Sequence, residues 1–255
     1  MYPQTKFLIM QNFRPNFGNI PPVVKNLIII NALMLLATYV MSMRGVDLTS
    51  MLGLHYIESP AFRPYQLVSH LFMHGGIIHL FFNMFALWMF GRVLESVWGP
   101  KRFFIFYFVT GLGAAALHLF VGFLEYHSLV SKMSPDQINL VMQQGEELWQ
   151  QGKNFSDPLM GQLNLLLNIP TIGASGAVFG VLLGFGMLFP NTQLMLLFPP
   201  IPIKAKYFVI GYGLVELYLG IARPGSDVAH FAHLGGMLFG YLLIKYWNKN
   251  SHNFY

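Results

Sequence analysis

Long stretches that are almost free of charge limit what this chain can fold into. Only 10% of the 255 residues are charged and 55% are hydrophobic, whereas a soluble domain carries about 25% charged residues. A transmembrane helix needs about 20 mostly apolar residues. Six stretches approach that length: Val23–Met43, Met73–Phe90, Phe103–Leu124, Ile172–Phe189, Ala205–Ala222 and Val228–Trp247. The sequence therefore predicts an all-α integral membrane protein with six transmembrane helices.

The basic residues indicate how this bundle is oriented. The formal net charge is +5, but the cations are spread over short connecting segments instead of forming one patch, which argues against a nucleic-acid partner. If the N-terminus lies inside, ten of the 15 Lys and Arg residues fall on inner segments. Because inner loops of membrane proteins are enriched in Lys and Arg, we expect both termini in the cytoplasm, in a bacterial plasma membrane.

The predicted organisation is one membrane domain with short ends. Residues 1–22 form a cytoplasmic segment, residues 23–247 the six-helix domain, and residues 248–255 a cytoplasmic tail. The long segment Glu125–Pro170 is predicted to be an external loop. It is expected to contain a short amphipathic helix near Ser134–Gln151, which Ser134 caps.

Three polar residues are predicted to share one depth in the membrane. His79 is about six residues, Ser175 about three and His233 about five residues from the outer ends of their stretches. At 1.5 Å per residue, all three lie on the order of 5–10 Å below the outer rim. Polar groups inside a membrane are costly and usually bond to each other or perform chemistry. The shared depth therefore favours a single site.

The chemistry expected of this site is that of a serine nucleophile. A serine hydroxyl needs a base that takes its proton, and neutral histidine is the usual base. His233 and His230, one turn apart, compete for this role. Because the sequence places no Asp at comparable depth, it predicts a Ser–His dyad. Glu216 is interpreted as a protonated structural residue at mid-membrane.

Two further groups are expected to support this pair. His79 and Asn83 are four residues apart and share a helix face, so both, with the backbone N–H of Ser175, could stabilise an oxyanion. Gly236 and Gly240 share a face with His233, and the fourth stretch also carries regularly spaced glycines. Such small residues let membrane helices approach closely, so we expect the fourth and sixth helices to bring Ser175 and His233 together.

Less specific interpretations of the same residues remain open at this point. A Gly-Ala-Ser-Gly sequence in a membrane helix is often only a packing contact, and the histidines could join helices or bind a metal in a His-rich membrane protein. The absence of cysteine excludes disulfides, thiolate catalysis and Cys-ligated metals. His70 and His74 have the spacing of a zinc-binding helix but lack the glutamate of the HExxH signature. We therefore expect neither a metal nor a cofactor.

Four motifs together resemble the rhomboid family of intramembrane serine proteases. They are the His74…His79…Asn83 pattern on the second helix, the Gly91…Glu95 pair that closes it, Gly173-Ala-Ser175-Gly176, and Ala232-His233 followed by Gly236 and Gly240. The match runs in order from about residue 60 to 247. In place of the Trp-Arg that many relatives have before the second helix, this chain has Tyr65-Gln66.

The resemblance implies a six-helix rhomboid bundle in which Ser175 is the nucleophile and His233, not His230, is the base. It also implies that His79 and Asn83 stabilise the oxyanion. The expected substrates are transmembrane proteins within the lipid bilayer, cut in or near a membrane helix. The fifth helix with the loop Arg223–Asp227 would act as a gate. A catalytically inactive rhomboid-like chaperone or adaptor is the alternative, and the sequence assigns no oligomeric state.

Overall fold

The protein is described by a computed structural model that covers residues 20–195, 201–222 and 229–250. Most of the predicted N-terminal segment, the end of the tail and the loop Arg223–Asp227 lie outside these ranges. The elements are α1 (Pro22–Ser42), α2 (Leu48–Leu52), α3 (Gln66–Ser69), α4 (Ile77–Ala86), α5 (Arg92–Trp98), α6 (Pro100–Val130), α7 (Pro135–Gln150), α8 (Pro158–Asn168), α9 (Ser175–Leu188), β1 (Gln193–Met195), β2 (Pro202–Lys204), α10 (Ala205–Ala222) and α11 (His230–Asn250).

Four helices in the described part of the chain are long and apolar enough to cross a membrane. They are α1, the continuous helix Ile77–Trp98, α6 and α10. The continuous helix comprises α4 and α5, joined by a π-helical turn at Leu87–Gly91. Of the other two predicted spans, α9 is apolar but only 14 residues long. Helix α11 has 21 residues but is not apolar enough over a membrane-spanning length to join these four. The chain is thus an integral membrane protein, and the count of six spans stays a prediction.

A buried glutamate fastens α1 to the rest of the bundle. The first backbone N–H groups of a helix have no partner within that helix. Glu95 of α5 accepts two of them, from Val23 at 2.9 Å and from Val24 at 2.8 Å. Only 2% of Glu95 is exposed. The glutamate of the Gly91…Glu95 motif therefore caps a neighbouring helix, at the end of the bundle opposite to Ser175.

The centre of the bundle is formed by α6, α9 and α11. Gly236 of α11 lies so close to α9 that a Cβ atom there would overlap the backbone carbonyl of Gly176. A Cβ atom on Gly176 would instead meet Ala114 of α6, and one on Gly180 would lie 2.5 Å from Thr110 of α6. The expected close approach of α9 and α11 is therefore present. Gly176 and Gly180 of α9, however, leave room for α6, because the positions at which their Cβ atoms would lie face that helix.

The segment predicted as an external loop is mostly helical. The helix that was expected to end near Leu124 runs on to Val130. The predicted helix follows as α7, where Ser134 and Gln137 form a reciprocal capping box. A second helix, α8, was not predicted, although Asp157 caps it and Pro158 begins it. These helices bury a small core of their own, which we call the outer core: Tyr56, Leu129, Met133, Val141, Met160, Leu163 and Leu167.

The segment before the second span is ordered by Gln66, one of the two residues that depart from the family pattern. Gln66 is buried, and its Oε1 accepts backbone N–H groups from His55 at 3.3 Å and from Arg63 at 3.1 Å. A pair of backbone hydrogen bonds between Leu54 and Thr171 then ties this segment to the strand-like residues that precede α9. The Gln66 amide thus satisfies backbone groups of the segment to which it belongs.

A short hairpin departs from the all-α prediction. Strands β1 and β2 pair antiparallel, with Leu194 opposite Ile203, just before α10 begins. The hairpin follows the end of α9 opposite to Ser175, and Leu194 and Met195 of β1 line the same large cavity as Ser175.

Candidate active site

The turn into α9 presents Ser175 at a helix N-terminus. Gly173 has a φ of +127°, a conformation that glycine adopts without strain. A side chain there would also collide with the His79 ring, because its Cβ would lie 3.0 Å from Nε2. Ser175 is the first residue of α9, so its backbone N–H belongs to the unpaired first turn, where a helix favours negative charge.

His233 lies within hydrogen-bond distance of this serine. The distance between His233 Nε2 and Ser175 Oγ is 2.8 Å. The two residues are 58 positions apart in sequence and come together because α9 and α11 cross at Gly176 and Gly236. His230, the competing base, has its Nδ1 hydrogen-bonded to Glu216 and not to Ser175. The geometry therefore favours His233 as the base. The catalytic roles of Ser175 and His233 stay predictions.

A carboxylate that the sequence analysis assigned to structure lies beside the two histidines. Glu216 Oε2 is 2.9 Å from His233 Nδ1 and 2.6 Å from His230 Nδ1. Only 6% of Glu216 is exposed. Glu216, which the sequence analysis assigned to mid-membrane, therefore lies at the depth of the two histidines.

The sequence already held the signal for this position. Glu216 is six residues from the end of α10 at Ala222, which is about 9 Å along a helix. That depth matches the depth expected for His233, provided it is counted from the end of α10 that leads into α11.

Aromatic stacking fixes the plane of the His233 ring. Phe179, one turn after Ser175, stacks on this ring with centroids 4.1 Å apart and an angle of 4° between the planes. Tyr212 of α10 also stacks on Phe179, with centroids 5.2 Å apart. The sequence analysis missed both rings, because aromatic residues are too frequent in this chain for any one of them to stand out.

His79 is oriented so that it can donate a hydrogen bond into the site. Its Nδ1 accepts the backbone N–H of Gly75 at 3.3 Å, and the neutral ring then carries its proton on Nε2. That nitrogen and Ser175 Oγ flank the same point beside Gly173, at 3.0 and 3.6 Å from the position of a Cβ atom there. The geometry suits a donor for an oxyanion formed next to Ser175.

Asn83 is hydrogen-bonded within its own helix. Its side-chain amide donates to the backbone carbonyl of His79 at 3.1 Å, within its own helix. Asn83 is buried and lines the same cavity as His79 and Ser175. An amide nitrogen carries two protons, so one of them remains for a bound group.

Of the two histidines before α4, His70 bonds to the backbone, whereas both ring nitrogens of His74 are buried without a hydrogen-bond partner in the described part of the chain. His70 Nδ1 bonds to the carbonyl of Gln66 at 2.8 Å, and the His70 carbonyl accepts the N–H of Gly173 at 2.9 Å. Burial lowers the pKa of His70 to about 4. His74 packs edge-on against the His79 ring, with centroids 5.0 Å apart. His70 thus joins the segment before the second span directly to the turn that carries Ser175.

The site opens into a large cavity. Its volume is about 1700 Å³, and its walls include Ser175, His79, Asn83, Glu216 and His233. The remaining wall is largely apolar, with contributions from α4, α6 and α10. A space of this size and composition can hold several residues of an apolar peptide beside the serine.

One group within the described ranges has the composition of a metal site. The ligand atoms of Glu216, His230 and His233 all lie within 4.8 Å of one another. The Nδ1 atoms of both histidines, however, already contact the carboxylate, and the remaining nitrogen of His233 contacts Ser175. The arrangement satisfies these groups by hydrogen bonding, and the absence of a metal stays a prediction.

The chain is similar to several known proteins. The chain is 26% identical over 184 residues to the yeast (Saccharomyces cerevisiae) protein named Rhomboid protein 1, mitochondrial, and 27% identical over 216 residues to the Arabidopsis thaliana RHOMBOID-like protein 12, mitochondrial. These matches cover 72% and 84% of this chain, but only 42% and 55% of the relatives.

A bacterial relative is also similar. The Rhomboid protease GluP of Bacillus subtilis (strain 168) is 25% identical over 178 residues, which are 69% of this chain and 25% of that protein. The chain thus spans about half, or less, of the length of these three curated relatives. Residues 61–249 match the rhomboid domain, a stretch that contains every residue of the candidate site. The chain therefore belongs to the rhomboid family.

Proposed function

We propose that this protein is an intramembrane serine endopeptidase that hydrolyses peptide bonds in or near the transmembrane segments of other proteins. The observation that carries the proposal is the 2.8 Å contact between His233 Nε2 and Ser175 Oγ, at the wall of a mainly apolar cavity within a membrane domain. The protease name of the Bacillus subtilis relative supports it.

The proposed reaction has two steps. His233 Nε2 takes the Ser175 proton while Oγ bonds to the scissile carbonyl carbon, and the carbonyl electron pair moves onto its oxygen. His79, Asn83 and the Ser175 backbone N–H are placed to stabilise that oxyanion. The C–N bond then breaks, and the leaving nitrogen takes the proton from Nε2. His233 Nε2 next takes a proton from a water molecule while the water oxygen bonds to the acyl carbon. The C–Oγ bond then breaks, and Oγ takes that proton back from Nε2, which restores the serine.

The proposal includes the six-helix rhomboid bundle, with α9 and α11 as its fourth and sixth spans. Both termini are placed in the cytoplasm, so that the site opens to the outer side. The excess of basic residues on inner segments supports this orientation. The bacterial plasma membrane stays an expectation, since two of the relatives named above carry mitochondrial names.

The first test is labelling of the purified full-length protein in detergent by a fluorophosphonate probe, with cleavage of a reporter transmembrane substrate measured in parallel. We expect Ser175→Ala to abolish both. We expect His233→Ala to abolish cleavage, while His230→Ala keeps measurably more activity than His233→Ala, because only His233 contacts the serine.

Three results would contradict the proposal. Labelling or cleavage that survives in Ser175→Ala would mean that another group is the nucleophile. Wild-type protein that neither labels nor cleaves would favour an inactive rhomboid-like chaperone or adaptor. Cleavage that a chelator removes and zinc restores would favour a metal at Glu216, His230 and His233 over the serine mechanism.

A further inference from the structure

We infer that Glu216 is a positioning residue for His233, so that the site works as a Ser175–His233–Glu216 triad in which His230 holds the carboxylate. The inference rests on the proposed function, and it replaces the dyad that the sequence predicts. Three hydrogen bonds, one through each ring nitrogen of His233 and one from His230, carry the argument.

The first step concerns the tautomer of His233. A neutral imidazole carries one proton, and only the nitrogen without it can act as a base. To accept the Ser175 proton on Nε2, His233 must carry its own proton on Nδ1. Glu216 Oε2, 2.9 Å from Nδ1, accepts that proton in a hydrogen bond and so selects the tautomer that leaves Nε2 free.

The second step concerns charge. When His233 takes the serine proton it becomes an imidazolium in a site where Glu216 is 6% and His233 8% exposed. An isolated charge buried to this degree is costly. The carboxylate stabilises the imidazolium through the Nδ1–H hydrogen bond without accepting the proton.

The third step concerns what holds Glu216 itself. A glutamate side chain has several rotatable bonds, and fixing it costs conformational entropy. His230 Nδ1 lies 2.6 Å from the same Oε2 atom that faces His233. His230 therefore anchors the carboxylate, and the stacked rings of Phe179 and Tyr212 hold the His233 plane on the other side.

The test compares Glu216 with Glu95, a second buried carboxylate at the other end of the bundle. Glu216→Gln keeps a hydrogen-bond acceptor but removes the charge, and its amide N–H₂ can donate to Nδ1 and select the wrong tautomer. We expect kcat to fall roughly 10³–10⁴-fold, with KM nearly unchanged, as when the acid of a serine-protease triad is replaced. Glu216→Asp, which restores the charge on a shorter side chain, should recover part of that loss.

Glu95→Gln is the matched control. Glu95 is as buried as Glu216, but it caps α1 at the other end of the bundle. Its replacement should lower the thermal unfolding midpoint and leave kcat per folded enzyme unchanged. A fall in kcat of Glu216→Gln that only matched its loss of folded protein would contradict the positioning role.

A second measurement does not depend on activity. In protein labelled with ¹⁵N-histidine, the His233 signals are identified by their loss in His233→Ala. We expect the Nδ1–H tautomer in the wild type and a raised fraction of the Nε2–H tautomer in Glu216→Gln. An unchanged tautomer would overturn the inference.

The failures can be distinguished. Active wild-type protein with an equally active Glu216→Gln variant overturns the positioning role alone. Wild-type protein that neither labels nor cleaves overturns the proposed function, and the positioning role with it.

Discussion

At the scale of single residues, the site depends on protons held at particular ring nitrogens. The Gly75 N–H on His79 Nδ1 leaves the proton of that ring on Nε2, where it faces the site. Glu216 on His233 Nδ1 has the opposite effect and leaves Nε2 of that ring free to accept a proton. Two histidines of the same chemical type are thus set to opposite tasks by one hydrogen bond each.

His70 gives a pH prediction at this scale. Its folded-state pKa is lowered to about 4 by burial, against about 6.5 in an unfolded chain. Between these values the unfolded state binds a proton that the folded state does not, so stability is present at neutral pH and falls as the pH decreases from about 6.5 to 4. His70→Asn, whose amide can still donate to the Gln66 carbonyl, should lose roughly 2 kcal/mol less than the wild type between pH 7 and 5.

Unfolding in detergent at a series of pH values measures this effect. The wild type and His70→Asn should differ in how steeply stability changes below pH 6.5, and converge near neutral pH apart from a constant offset. Parallel curves across the whole range would show that His70 does not titrate differently on unfolding.

The sequence was sufficient to find Ser175, His79 and His233, because each is a polar residue near the end of an apolar stretch, and their depths can be counted. It was not sufficient for Glu216, whose depth was counted against the middle of the membrane instead of the end of α10. Nor did it show that the Asn83 amide bonds to the His79 carbonyl within its own helix, because that bond depends on a side-chain rotamer that residue spacing does not determine.

At the scale of elements, the crossing of α9 and α11 sets the distance between Ser175 and His233. The contact is backbone against backbone, since Gly236 faces the carbonyl of Gly176 without any side chain between them. The sequence predicted this crossing from glycine spacing alone. It did not predict that the glycines of α9 admit α6, because spacing identifies a thin face but not the helix that covers it.

Gly236→Ala should therefore separate the two helices. The added methyl group would overlap the Gly176 carbonyl, so we expect a cost of about 1–3 kcal/mol or more and a large loss of probe labelling at Ser175. Gly211→Ala in α10 is the matched control, because a Cβ atom there meets nothing within 4 Å. Labelling rate and thermal unfolding of both variants, measured in the same detergent, give the comparison. Equal behaviour of the two variants would contradict a close crossing at Gly236.

At the scale of the whole molecule, the chain builds two cores. The larger one lies within the bundle, and the outer core joins α6, α7 and α8 to Tyr56. The sequence predicted the bundle well, because long apolar stretches have few alternatives in a membrane. It missed α8, since a helix of 11 residues with amides and glycine resembles a polar loop until its burial against a neighbour is known.

Leu163→Ala tests whether the outer core is a separate unit. Leu163 is fully buried there, and truncation of a buried leucine costs about 2–5 kcal/mol. We expect faster hydrogen exchange confined to α7 and α8, with labelling of Ser175 retained. Leu140→Ala, at a side chain that is 38% exposed, should change little. Faster exchange that spread into α9 and α11 would show that the two cores unfold together.

The placement of Glu216 on α10 ties the chemistry of the site to the attachment of one helix. Only four of the 18 residues of α10 are buried, Ala205, Val209, Glu216 and Gly220, so little of this helix is enclosed by the rest of the bundle. Ser175 and His233 belong to helices that cross backbone to backbone. Glu216, in contrast, lies on α10, a helix with few buried residues. In the proposed triad, activity therefore depends on the docking of α10, because displacement of this helix from α11 would break the 2.9 Å contact between Glu216 and His233.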